Sequence, residues 1–254
     1  MRRRWPTSTK SSAEGRPLRA VGIVGHKDSG KTTLIQALAR ELRDRGHEVA
    51  TVKHSLHGID LRGKDTARLR ESVDQVAFIS PLESVILCNG PKRLEQILPY
   101  LDAEIVLIEG FKGERTFPKI VCLKGEVEDN SLFDGLAICA VGPADQVEEA
   151  DVPLLSRDEV GKIADLVEEK AFKLPNLNCG GCGHETCYGL ALEIVAGRKT
   201  IEDCVSLNPT TQVTIDGKPL PLNPFTSKVV RNVVVGMLSP LKGFSAGEIE
   251  ITIG

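Results

Sequence analysis

Cys179, Cys182, Cys187 and Cys204 stand at the spacing C-x2-C-x4-C-x16-C. Thiolates bind soft and borderline metals, and two close pairs can wrap one centre. Gly180, Gly181 and Gly183 fill the gaps between the first cysteines, and residues this small let backbone N–H groups approach cluster sulfides. Zinc also accepts four cysteines, but structural zinc sites more often show two C-x2-C knuckles. The spacing favours a [4Fe–4S] cluster over zinc, with four inert core thiols as the weakest reading. His184 reads as a loop residue rather than a ligand.

A second chemical signal lies near the amino end, in Gly25-His26-Lys27-Asp28-Ser29-Gly30-Lys31-Thr32-Thr33. Gly25 and Gly30 allow the backbone to wrap a phosphate with its amides pointing inward. A helix starting near Lys31 aims its positive end at the same anion. Lys31 can reach the terminal phosphates and the Thr32 hydroxyl can bind Mg²⁺. Such a loop also wants an acid at the end of a neighbouring strand. Glu109 closes the most apolar strand pattern in the chain, Glu104-Ile105-Val106-Leu107-Ile108-Glu109, and is the candidate. Asp102 and Glu104 open that strand, so they belong at the far edge of the sheet as solvated charges. Lys53-His54-Ser55-Leu56-His57 and Lys64-Asp65-Thr66-Ala67-Arg68 occupy the place of a γ-phosphate sensor. A solvated loop and a metal site on the two histidines are the other readings of that stretch.

These residues need elements to position them. Ala20–Val24 is a short apolar strand leading into the glycine-rich loop, and Leu34, Leu38 and Leu42 mark an amphipathic helix behind it. Gly46 ends that helix, and Glu48–Lys53 is the next strand. Val73–Ile79, Ser84–Leu87, Ile120–Leu123 and Leu136–Val141 continue the strand series. A short helix is expected over Lys92–Leu98 after Pro91, and another from Ser156 as its cap to Ala171. Alternating strands and helices imply an α/β fold, a P-loop NTPase with a mostly parallel sheet covered on both faces. Lys173-Leu174-Pro175-Asn176 breaks the rhythm. The expected domains are a disordered tail over 1–17, a nucleotide domain over 18–172, an iron–sulfur module over 173–209 and a small α+β appendage over 210–254. The module carries a helix near Glu185–Ala196. The appendage reads as a strand into Asp216-Gly217, a helix opened by Asn223-Pro224, and a strictly alternating strand over Glu248–Ile253.

Hydrophobic residues are 41% of the 254, ordinary for a chain that buries a full core. The net charge of −3 gives no basic field for nucleic acid. No apolar run approaches the ~20 residues that span a bilayer. Arg2, Arg3 and Arg4 precede Trp5-Pro6 and a polar stretch where a secretory signal would need an apolar segment. The expected location is the cytoplasm, where clustered cysteines point to metal rather than disulfides. Cys88, Cys122 and Cys139 sit in apolar runs and read as core.

Gly25–Thr32, Lys53-His54, Asp65-Thr66-x-Arg68 and Ile108-Glu109-Gly110-Phe111-Lys112 follow one another as in the MobB family, the molybdopterin-guanine dinucleotide biosynthesis protein B group. The chain resembles that family from about Arg19 to Lys170. The resemblance implies GTP binding with Mg²⁺, slow hydrolysis and dimers. It also implies assistance to the nucleotidyltransferase that joins GMP to molybdopterin. It adds Asp65, Arg68 and Lys112 to the site: Asp65 for Mg²⁺ or the switch loop, Arg68 and Lys112 for phosphate. No Asn-Lys-x-Asp run is present to read guanine, and Asp145 is better read as a turn acid, so GTP over ATP rests on the resemblance. The stretch from Cys179 to Cys204 resembles the small four-cysteine [4Fe–4S] domain of electron-transfer complex subunits and the corrinoid iron–sulfur protein.

The expected function is a GTP-binding accessory protein of molybdenum or tungsten cofactor maturation, at most a weak GTPase, fused to an iron–sulfur module. Its partner would be a nucleotidyltransferase or a target metalloenzyme. Two other readings are a metal-insertion chaperone NTPase for a nickel or iron enzyme, and a redox-sensing adaptor without catalysis.

Overall fold

The computed structural model describes residues 18–55, 69, 72–124, 130–143, 152–208, 211, 213–215, 218–220, 222, 224–245, 247 and 249–251. Asp65, Arg68, His57, Asp145 and the turn Asp216-Gly217 lie outside these residues.

Among the described residues the strands before the helix Val160–Lys170 are β1 (Arg19–Gly25), β2 (Val49–Lys53), β3 (Gln75–Ile79), β4 (Ser84–Cys88), β5 (Ile105–Glu109), β6 (Lys119–Cys122), β7 (Ala137–Val141) and β8 (Leu154–Leu155). Six of them form a sheet in the order β2-β5-β1-β6-β7-β8, and its pairings are parallel. From β1 the chain moves outward to β2 on one side and later crosses to β6 on the other. The strand order therefore reverses beside β1, and open parallel sheets hold ligands at the carboxyl ends of strands around such a point.

Alternation along β1 builds two cores from one strand. Val21 and Ile23 face helix α1 (Lys31–Asp44) and helix α3 (Val160–Lys170), among Leu34, Leu38, Leu42, Ile105, Leu107, Ile163 and Val167. Ala20 faces the other way, with Val106, Ile108, Phe117, Leu94 and Leu98. Leu38 and Leu42 are fully buried, and truncating either to alanine costs about 2–5 kcal/mol by the usual cavity penalty.

Several expectations need correction. β3 and β4 do not join the parallel sheet but form a separate antiparallel pair. Only Ser80–Glu83 lie between them, and a parallel crossover needs a dozen or more residues. Helix α2 is shorter than expected, Leu94–Ile97, and Arg93 rather than Pro91 stands at its entrance. Ser156 does not cap α3: its N–H donates to the Glu159 carboxylate at 2.8 Å, and this turn delays the helix to Val160. Cys122 and Cys139 are core residues, with burial pushing the Cys139 thiol up to about 12, whereas Cys88 is only partly covered. Glu104 is no solvated charge, since it pairs with Arg19 and His47. Of the strand expected over Glu248–Ile253, residues 249–251 adopt no strand and Ile251 is exposed, while residues 248, 252 and 253 lie outside the described residues.

Beyond Ala171 the chain runs without helix or strand until helix α4 (Cys187–Val195). Thr186 caps α4 with its hydroxyl accepting from the Gly189 N–H. Leu136, Phe172 and Leu174 pack with Cys187, Leu190, Ala191 and Cys204 in a core of their own. A hairpin of β9 (Val213–Ile215) and β10 (Lys218–Leu220) leads to helix α5 (Pro224–Leu238). Among the described residues no helix is long and apolar enough to cross a membrane.

Candidate functional site

The loop from β1 to α1 turns at Gly25 (φ 154°) and Gly30 (φ 79°), both backbone conformations that favour glycine. A Cβ on Gly25 would stand 2.5 Å from the Cys122 carbonyl and from the Ser29 hydroxyl. A Cβ on Gly30 would stand 3.1 Å from the Arg157 guanidinium. His26, Lys27 and Asp28 are exposed at the loop's tip, Ser29 is buried under it, and Thr32 and Thr33 are exposed on the first turn of α1. The Lys31 ammonium folds back onto the His26 carbonyl and lies 3.3 Å from the Ser29 hydroxyl.

Parallel register brings the acid. β2 and β5 pair Lys53 with Glu109, and β1 lies on the other side of β5. The Lys53 ammonium is 3.0 Å from one Glu109 oxygen and 3.1 Å from the other. The Thr32 hydroxyl is 3.2 Å from both. An open cleft of ≈ 510 Å³ is lined by Gly25, Lys31, His54, Glu109 and the turn through Phe111, Lys112 and Glu114. The His54 and Phe111 rings meet at 4.6 Å between centroids. Donors, a cation and a carboxylate converge at the end of an apolar sheet. That arrangement can take a phosphate against the loop and a divalent ion between Thr32 and Glu109.

The structure thus brings together Gly25 to Thr33, Glu109 and Lys112, while Asp65 and Arg68 lie outside the described residues. Sequence reading set Lys53 in the sensor stretch without its contact to Glu109, and it missed Arg157. Lys53 was legible once β2 was set beside β5. Arg157, which donates to the Ser29 carbonyl at 3.2 Å and the Leu123 carbonyl at 3.1 Å, comes from 128 positions away and has no local signal.

At the cysteine module, Cys187 and Cys204 are buried in one apolar core and Cys182 packs against it. Cys179 is exposed, its sulfur 3.3 Å from the Ser206 hydroxyl, which pulls its thiol below the ordinary range. Burial pushes the Cys204 thiol up. Among the described residues no three His, Cys, Asp or Glu side chains are already arranged to hold one metal ion. The donor chemistry nonetheless fits a thiolate-ligated group. Four thiols lie on two adjoining loops and one helix start, three of them in or against one apolar core, with glycines at positive φ (Gly180 and Gly183) in the first loop.

A curated relative from Methanocaldococcus jannaschii is 31% identical over 234 residues, covering 89% of this chain and 93% of that protein. The chain belongs to the MobB family. The relative is called "Putative molybdopterin-guanine dinucleotide biosynthesis adapter protein". The family model for MobB, "Molybdopterin guanine dinucleotide synthesis protein B", matches residues 20–142. A second model, "Putative Fe-S cluster", matches residues 174–206. The Haemophilus influenzae adapter protein is 33% identical over 156 residues, 58% of this chain and 86% of its own. MobB structures from Bacillus stearothermophilus and Bacillus subtilis each cover 59% of the chain and 99% and 98% of theirs. They are 24% and 22% identical, with TM-scores of 0.47 and 0.48.

Proposed function

We propose that this MobB-family chain is a GTP-dependent adapter of molybdopterin guanine dinucleotide biosynthesis, working in the cytoplasm as a homodimer beside a nucleotidyltransferase or a target molybdo- or tungstoenzyme. The observation that carries the nucleotide site is the convergence of Lys31, Thr32 and Glu109 at the mouth of the glycine loop. The adapter role rests on the names of the curated relatives. Loop amides and Lys31 would take the charge of the β- and γ-phosphates. Thr32 and Glu109 would hold Mg²⁺, with Lys53 yielding its hold on Glu109 when the ion enters. Lys112, and by family likeness Asp65 and Arg68, would complete the phosphate contacts. Hydrolysis would be slow, since positioning alone drives it and the Glu109 carboxylate is engaged.

Cys179, Cys182, Cys187 and Cys204 would hold a [4Fe–4S] cluster, within a module running from about residue 173 to 209. Such a cluster supplies one-electron chemistry or a structural cross-link. Cys179 would turn from Ser206 to reach it.

The test is a reconstituted transfer of GMP to molybdopterin by a nucleotidyltransferase, with and without this chain. The chain should raise product yield, and Lys31→Ala should not. No stimulation, with transfer of nickel or iron to an apoenzyme instead, would assign the chain to metal insertion.

A further inference from the structure

The turn after Glu109 has two sides. Phe111, Lys112, Gly113 and Glu114 line the nucleotide cleft. The residues that follow are held by the cysteine module. The Arg115 guanidinium sits 4.7 Å over the Tyr188 ring. The Leu174 N–H donates to the Thr116 carbonyl at 2.8 Å, and the Lys173 ammonium donates to the Thr116 hydroxyl at 2.9 Å. A further chain of contacts starts at the Tyr188 hydroxyl, which donates to the Asp134 carbonyl at 2.6 Å. The Asp134 carboxylate is 2.6 Å from the Lys119 ammonium, and that ammonium donates to the Lys112 carbonyl at 2.8 Å. Lys119 is 1% exposed, so its charge cannot leave these partners cheaply.

Tyr188 is the residue after Cys187, on the first turn of α4. Ligation of the Cys187 sulfur would fix that turn. The module is small and glycine-rich around its cysteines, so loss of a ligated group would loosen it and free the phenol from Arg115 and Asp134.

We propose that Tyr188 is a positioning residue for the nucleotide cleft: it transmits occupancy of the cysteine site to Lys112 through Asp134 and Lys119. The proposal rests on the reading of the cleft as a triphosphate site. By linkage, whatever the module's occupancy does for triphosphate affinity, triphosphate does for the module.

The experiment titrates Mg²⁺-GTP into the full chain, prepared anaerobically, before and after removal of its metal by a chelator. Tyr188→Phe keeps the ring on Arg115 and removes only the hydroxyl. Asp134→Asn removes the carboxylate charge that holds Lys119 and leaves in place the backbone carbonyl that accepts from Tyr188. In the wild type, metal removal should weaken GTP binding at least fivefold. Each variant should keep its metal content, bind GTP at least about fivefold more weakly than the wild type, the loss of one hydrogen bond being the lower bound, and lose little more on metal removal. This last difference separates positioning from a general structural role. Metal-independent GTP affinity in the wild type, or wild-type affinity and metal dependence in either variant, would overturn the proposal and leave the cleft reading intact. Absence of any triphosphate binding in the wild type would overturn both.

Discussion

Glu109 and Lys53 end neighbouring parallel strands in the same register, and their side chains meet at 3.0 Å beside the phosphate loop. The carboxylate is mostly covered and the ammonium mostly exposed, so the pair guards a negative charge that a divalent ion could claim. Glu109→Gln keeps the shape and removes that charge. Mg²⁺-dependent GTP binding should fall about 10- to 100-fold, the scale of one charged contact, while Mg²⁺-free binding changes little. Calorimetry with and without Mg²⁺ checks this, and an equal loss in both would make Glu109 structural.

Gly25→Ala should damage both fold and site. The new methyl would meet the Cys122 carbonyl at 2.5 Å, and the φ of 154° alone costs about 1–3 kcal/mol for a side-chain residue. Gly113→Ala is the matched control: it lines the same cleft with nothing within 4 Å of an added Cβ. Thermal melts should show a clear loss for the first and almost none for the second.

His47 closes the opposite edge of the sheet. Its ring nitrogens lie 2.9 Å from Glu104 and 2.7 Å from Glu168, with Arg19 and Arg45 also on those carboxylates. The Glu104 and then the Glu168 hydrogen bonds raise the imidazole above its usual 6.5. A raised histidine stabilises fully below its unfolded value, and this contribution is lost as pH rises through the folded one. The two carboxylates are lowered, chiefly by His47, so their share is lost only as pH falls below about 4.5. Melting temperature should therefore decline above pH 6.5 in the wild type and less steeply in His47→Gln. Parallel curves for the two proteins would remove His47 from the account.

The phosphate loop, its helix and the strand ending in Glu109 were legible because each is local: spacing, periodicity and an apolar run specify them. The register that sets Lys53 beside Glu109 needed only the neighbour relation of two strands. Arg157 and Tyr188 were not legible, because each acts on partners more than 30 positions away through tertiary packing. The β3–β4 pair was misplaced for another reason. Strand periodicity says nothing about partners, and only the short link between them excludes a parallel pairing.

Single Cys→Ser changes at 179, 182, 187 or 204 should reduce iron from about four per chain and loosen residues 174–206 to proteolysis. Leu38 and Leu42 should stay buried in their own core, to which none of these four cysteines belongs. Iron analysis with limited proteolysis checks this. Colourless anaerobic protein with one zinc would assign the site to a structural metal.

A triphosphate site built on Gly25–Thr32 is tested most directly at Lys31. Among the described residues its ammonium bonds within the loop itself, to the His26 carbonyl and the Ser29 hydroxyl, so Lys31→Ala should leave the melting temperature unchanged within a few degrees. Titration of Mg²⁺-GTP into the full chain should show one site per chain in the wild type and no measurable binding in the folded variant. Equal GTP affinity in the two proteins would contradict the account.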